Sequence, residues 1–181
     1  MAHALILVDI QNDYFPGGRM ELVGMTDAAI NARAILDSFR ASDRPRFHIQ
    51  HLSIGPRATF FIDGTDGVDH HKTVAPRTDE SIIKKNYPNA FRGTGLEQSL
   101  RAASVEHVVF VGAMSHMCID ATTRAAFDLG FECTVVADAC ATRDLEFKDN
   151  TIPALQVHNV FMAALSAPYA AVVSTEKYLK A

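Results

Sequence analysis

Three side chains able to do covalent chemistry together stand just past short apolar runs. Asp9 follows residues 5–8, Lys85 follows residues 81–84, and Cys118 lies a short turn beyond residues 108–112. A carboxylate, an ammonium and a thiol can divide the work of acyl transfer. The thiol of Cys118 is the candidate nucleophile, since sulfur attacks carbonyl carbon well and forms a covalent intermediate. Asp9 is the candidate general base, taking the thiol proton and returning it to the leaving group. Lys85 balances both negative charges. Backbone N–H groups of the turn around Met114 and Cys118 are the candidate oxyanion hole. The chemistry is hydrolysis of an amide or related C–N bond. Taken one at a time these residues say little: an Asp at a strand end is often a turn residue, paired lysines are usually solvated, and a lone Cys is usually small core filling.

The elements that must position them are legible in the patterning. Residues 5–8, 47–52, 81–84, 108–112, 133–137 and 170–173 read as strands. They are rich in Val, Ile and Leu and lack polar alternation, as strands buried on both faces do. Residues 26–41, 96–103, 119–129 and 152–165 carry helical patterns, with Thr26-Asp27 as a start signal and Pro153 in a first turn. Strand–helix alternation at this spacing predicts an α/β fold, a three-layer open sheet of about six mainly parallel strands covered by helices on both faces. Ligands of such sheets bind beyond the carboxyl ends of the strands, which is where Asp9, Lys85 and Cys118 fall. Cys118 also precedes the helix predicted over 119–129, and a helix N-terminus favours a thiolate. Residues 53–79 fit no regular element, and a loop of that length is usually functional or mobile.

Bulk properties bound the rest. The chain has 181 residues, 48% hydrophobic and 21% charged, a net charge of −4 and three cysteines. One domain spanning 1–181 with a sizeable core is expected. Without a basic block or a long apolar run, neither nucleic acid nor a membrane is an expected partner. Met1 to Asp9 lacks a basic start and meets an acid at once, unlike a secretory leader. Three widely spaced cysteines suit reduced thiols and a cytoplasmic location, with Cys133 and Cys140 structural.

Four ordered segments carry a resemblance that spans nearly the whole chain. They are Leu7-Val8-Asp9-Ile10-Gln11-Asn12-Asp13-Tyr14-Phe15, Lys85-Asn86-Tyr87-Pro88-Asn89-Ala90-Phe91 with Gly93-Thr94 behind it, Gly112 to Thr122, and Gly130-Phe131 leading to Asp138-Ala139. In these the chain resembles the isochorismatase-like cysteine hydrolases, which include nicotinamidases and N-carbamoylsarcosine amidase. The resemblance implies an Asp9–Lys85–Cys118 triad, selects Lys85 over Lys84 by its spacing to Ala90-Phe91, and implies a cis peptide before Met114 that turns its N–H into the oxyanion hole. It also implies a homodimer or homotetramer. Ser115 stands where Thr is common, and Asn89 where Ser is usual. Members that cleave isochorismate lack the cysteine, so Cys118 favours C–N hydrolysis.

Nicotinamidases of that family hold a divalent metal through an Asp-x-His pair beyond the second strand. Here His51 and Ser53 take those two places, and His48 and His51, an odd number apart, point to opposite faces of a strand. No metal and no cofactor are therefore expected. His51 is instead read as a hydrogen-bonding group facing the substrate. Phe15, Phe60 or Phe61, Tyr87 and Met117 are the expected pocket wall around a small-molecule substrate. His70 and His71, in the long loop, are expected in solvent. Asp138 is read as either a support of the site or a cap. A metal-dependent nicotinamidase, or a non-catalytic binding member of the fold, are the alternatives.

Overall fold

The computed structural model describes residues 2–181. In chain order the elements are β1 (Ala2–Val8), α1 (Met25–Ala41), β2 (Arg46–His51), β3 (Ser81–Lys85), α2 (Leu96–Ala102), β4 (Val105–Ala113), α3 (Asp120–Asp128), β5 (Glu132–Ala141), β6 (Leu145–Phe147), β7 (Asn150–Ile152), α4 (Ala154–Leu165), β8 (Ala171–Val173) and α5 (Thr175–Leu179). Six strands form one sheet in the order β3-β2-β1-β4-β5-β8, and every neighbouring pair is parallel. Each expected strand is present. The expected helix over 152–165 begins later, at Ala154, because Ile152 pairs with Leu145 in a β6–β7 hairpin. That hairpin and α5 are too short to leave a periodic signal.

Side chains alternate between two cores. Leu5, Leu7, Val109 and Val111 face α1, with its Ile35, Leu36 and Phe39. Ala4, Ile6, Val8, Phe47, Ile49 and Phe110 face the other side, with Leu96 and Leu100 of α2, Ala126 of α3 and Leu165 of α4. The sheet is thus buried on both faces, which explains the absence of polar alternation. No helix among the described residues is long and apolar enough to cross a membrane.

The strand order reverses direction between β1 and β4, the crevice where open α/β sheets bind ligands. Close approach of those two strands needs Gly112. Its φ is +124°, and a Cβ there would lie 2.0 Å from the carbonyl oxygen of Val8. The glycine lets β4 close on β1 immediately before Asp9, whose own φ is 52° as the chain turns away from the sheet.

Candidate active site

Asp9, Lys85 and Cys118 meet at this edge, all shielded from solvent. Lys85 Nζ donates to Asp9 Oδ2 at 2.7 Å and to Cys118 Sγ at 3.3 Å, and lies 2.8 Å from His51 Nδ1. Parallel register explains the last contact: His51 and Lys85 are direct partners on β2 and β3 and so share a face. His48 lies on the other face, against Glu80, as the odd spacing requires. Asp9 Oδ1 is buried and accepts no hydrogen bond among the described residues.

The electrostatics follow from burial. Burial works against the Lys85 ammonium, but Asp9 and Cys118 outweigh it and raise its pKa above the ordinary value. Burial and then the charge of Lys85 push His51 down to about 4, so its ring is neutral at pH 7 and Nδ1 accepts from the ammonium. For Cys118, burial and then the Asp9 carboxylate push the thiol well up, and Lys85 offsets only part of this. The expected stabilisation of a thiolate by a helix end meets an opposing effect here. Cys118 sits in a π-helical turn, Ser115–Ile119, ahead of α3, and desolvation plus a neighbouring carboxylate act against the charged form there. Burial thus favours the neutral thiol, beside a carboxylate oxygen that has no partner among the described residues.

The peptide between Ala113 and Met114 is cis, where the resemblance implied it. The turn that follows is tied to its surroundings. Ser115 Oγ donates to Ala141 O at 3.3 Å and lies 2.8 Å from His158 Nδ1, and His116 Nδ1 lies 2.6 Å from Thr142 Oγ1. From α3, the Thr122 hydroxyl accepts from Ala90 N–H at 3.1 Å and donates to Pro88 O at 3.3 Å, fixing the chain beyond Lys85.

The segment Gln11-Asn12-Asp13, quoted above only as part of a motif, fixes the long loop. Gln11 Oε1 accepts from His51 N–H at 2.7 Å, and its Nε2 donates to His51 O and Val68 O at 2.9 and 2.8 Å. Asn12 donates to Asp66 O at 2.8 Å. The buried Asp13 carboxylate accepts from Phe61 N–H at 2.6 Å and Arg19 N–H at 3.2 Å, and Gly67 packs so tightly on it that a Cβ would lie 2.2 Å away. Three successive polar residues two positions past a buried strand were the available signal, since buried polar groups must find partners.

The expected pocket wall is placed unevenly. Phe61 is fully buried against Tyr14 and lies 5.9 Å from His51, while Phe60 packs on both Tyr14 and Phe61. Phe15 is buried and stacks on His71 at 3.5 Å. Tyr87 is partly exposed with the Arg92 guanidinium 3.7 Å over its ring, and Met117 is exposed beside Cys118. The solvent reading of His70 and His71 is corrected. His71 is held between Phe15 and Thr73 N–H, while burial pushes His70, which packs edge-on to His48, down to about 4. Asp138 caps the start of α5 by accepting from Thr175 N–H and Oγ1 at 2.7 and 2.8 Å.

Asp9, His51 and Cys118 could each offer a ligand atom to a metal, all within 4.8 Å of one another. The Lys85 ammonium is bonded to all three residues, so a cation already stands where they converge. Ser53, in the place of the second metal ligand of nicotinamidases, bonds through its N–H to Phe61 O at 3.0 Å. These residues do not fit a divalent ion.

A parallel six-stranded sheet with this cluster at its switch point defines a class: residues 3–176 match the isochorismatase domain, and the chain belongs to that family of hydrolases. Among its relatives is the isochorismatase family protein YddQ of Bacillus subtilis, 48% identical over 180 residues, 99% of this chain and 100% of that one. The crystal structure of an isochorismatase-type hydrolase from Oleispira antarctica superposes with a TM-score of 0.96 at 46% identity, covering 99% of this chain and 97% of that one. The nicotinamidase/pyrazinamidase of Mycobacterium tuberculosis is 30% identical over 177 residues, 84% of this chain and 92% of that protein.

Proposed function

We propose that the protein is a cysteine amidohydrolase that cleaves a C–N bond in a small amide, ureido or lactam compound through a thioester on Cys118. One observation carries this reading: Lys85 Nζ is shared among Asp9, His51 and Cys118, while Asp9 Oδ1 is left without a partner. The amidase relative supports the reaction type by its name.

The steps follow from these groups. Asp9 accepts the thiol proton as sulfur attacks the carbonyl carbon, so a thiolate exists only when substrate is present. The Met114 and Cys118 N–H groups hold the resulting oxyanion. Collapse breaks the C–N bond, and Asp9 passes its proton to the departing nitrogen. Asp9 then takes a proton from water, hydroxide attacks the thioester, and the acid leaves as the proton returns to sulfur. Lys85 stays protonated and keeps Asp9 ionised between steps. His51 Nδ1 holds the same ammonium as a second acceptor. Tyr87 and Met117 supply the rim.

The test is mass spectrometry of the protein quenched during turnover of small amides, alongside ammonia release. An acyl adduct on Cys118 that disappears in Cys118→Ala is expected. Hydrolysis by Cys118→Ala at the parent rate, or a stoichiometric zinc or iron that a chelator must leave in place for activity, overturns the reading.

A further inference from the structure

The Lys85 ammonium carries three hydrogens and no lone pair, and three acceptors surround it. Asp9 Oδ2 lies at 2.7 Å, His51 Nδ1 at 2.8 Å and Cys118 Sγ at 3.3 Å. Every hydrogen on that nitrogen is spent inside the protein, and Lys85 has none left for a substrate. The same count fixes the imidazole. Facing a group that only donates, Nδ1 of His51 can only accept. A neutral ring holds one N–H, so that proton stands on Nε2. Burial and the charge of Lys85 both act against a second proton on the ring.

The backbone that carries the ring is clamped as well. The fully buried Gln11 side chain accepts from His51 N–H at 2.7 Å and donates to His51 O at 2.9 Å, and its other amide hydrogen goes to Val68 O at 2.8 Å. His51 Nε2, by contrast, bonds to nothing among the described residues. Nor is it sealed from solvent, as the unpartnered Asp9 Oδ1, His48 Nδ1 and His70 Nε2 are. One open N–H thus remains in a cluster whose other side-chain N–H donor is used up. A ring nitrogen of His51, the Cys118 sulfur and an Asp9 oxygen all lie within 4.8 Å of one another, so a molecule seated with its carbonyl carbon on Sγ is held beside the imidazole.

We infer that His51 is a specificity-determining residue that acts only as a donor: its Nε2–H binds a hydrogen-bond acceptor, such as a second carbonyl oxygen, that the substrate carries beside the amide being cleaved. This rests on Cys118 being the nucleophile. An apolar group or a second donor in that place covers the N–H without pairing it, which hydrogen-bonding sites reject strongly. The substrate class narrows to amides and ureido compounds with a further carbonyl or equivalent acceptor close to the scissile group.

The test compares amides that differ in one group: acetoacetamide against isovaleramide and β-aminobutyramide, and levulinamide against isocaproamide and γ-aminovaleramide. The ketone oxygen accepts, the methyl group does neither, and the ammonium only donates. For the parent protein, kcat/KM for ammonia release should favour the ketone of at least one series over its methyl counterpart by about 10- to 100-fold, and over the ammonium by more. His51→Leu should bring the ketone-to-methyl ratio close to one. That ratio is internal to each variant, so a general loss of kcat through Lys85 cancels. His51→Gln, whose amide accepts from Lys85 and still donates outward, should restore part of the preference. Thermal melts check folding, and if His51→Leu does not fold, the parent ratio and the spectrum below decide.

Two measurements on Cys118→Ala separate this inference from the hydrolytic reading. Long-range proton–nitrogen correlation spectra should show His51 protonated on Nε2 alone at pH 7. Calorimetric titration should show the ketone binding at least about tenfold more tightly than its methyl counterpart, a difference lost in Cys118→Ala/His51→Leu. Both results, with no amide hydrolysed by the parent, support the donor site and sink the hydrolytic reading. A proton on His51 Nδ1, equal treatment of ketone and methyl compounds, or a preference that survives His51→Leu shows the inference to be wrong.

Discussion

Strands β2 and β3 carry two buried charge clusters on opposite faces, and the two are built differently. On the α1 face, Glu80 is surrounded. Its Oε1 accepts from Arg40 Nε and Arg46 Nε at 2.7 and 2.8 Å, and its Oε2 accepts from Arg40 Nη2 and Arg77 N–H and lies 2.9 Å from His48 Nε2. Burial works against the Glu80 carboxylate, but these hydrogen bonds outweigh it and hold its pKa far below the ordinary 4.5. On the other face, Asp9 has one oxygen on Lys85 and one with no partner among the described residues, and burial pushes the Cys118 thiol up. A carboxylate saturated with donors has no capacity to take a proton and can only hold the structure together. One left half-satisfied is poised to accept a proton, and the structure around it must supply the difference.

The sharpest way to break this contrast is Cys118→Ala. It should lower kcat by more than about 10⁴-fold, as loss of a nucleophile does, while the unfolding midpoint changes little. Lys85→Met should remove activity and also stability, by about 3–5 kcal/mol, because it strands a buried carboxylate. Urea unfolding at pH 7 reads this, and an unchanged midpoint would show that Asp9 is not ionised there. Glu80→Gln should behave oppositely to Cys118→Ala. It should cost a similar few kcal/mol by removing the buried anion from between Arg40 and Arg46, yet leave kcat of the folded fraction within about threefold.

The acid side of the stability profile sharpens the same comparison. A depressed carboxyl contributes fully above its unfolded value and loses that contribution as the pH falls below it. Glu80 should therefore steepen unfolding below pH 4.5, and Glu80→Gln should flatten that limb. His51 is depressed from 6.5 to about 4, so the unfolded chain binds its proton first and stability should fall between those values. His51→Asn should remove that smaller slope. The smallest effect concerns the thiol itself: labelling of Cys118 by iodoacetamide should keep rising with pH beyond 8, whereas a plateau near pH 7 would show a resting thiolate.

Much of this was readable beforehand. The apolar runs located all six sheet strands, since burial on both faces leaves an unbroken signature. The ends of those runs located Asp9, Lys85 and Cys118. Short elements escaped: the β6–β7 hairpin has three residues per strand and α5 has five. Burial of His70 escaped too, because the loop that carries it is folded by Gln11, Asn12 and Asp13, partners 48 to 57 residues distant along the chain from the groups they bond.

By itself, then, the sequence determined the sheet, the order of its strands' chemical groups and the face each histidine of β2 must take, because these depend on periodicity along one strand. Only the tertiary structure decided the desolvation that raises the thiol and lowers His51, the lysine standing where the three ligand atoms converge, and the Asp9 oxygen left without a partner among the described residues. Those are set by desolvation and by neighbours brought together from different strands, and no local pattern encodes either.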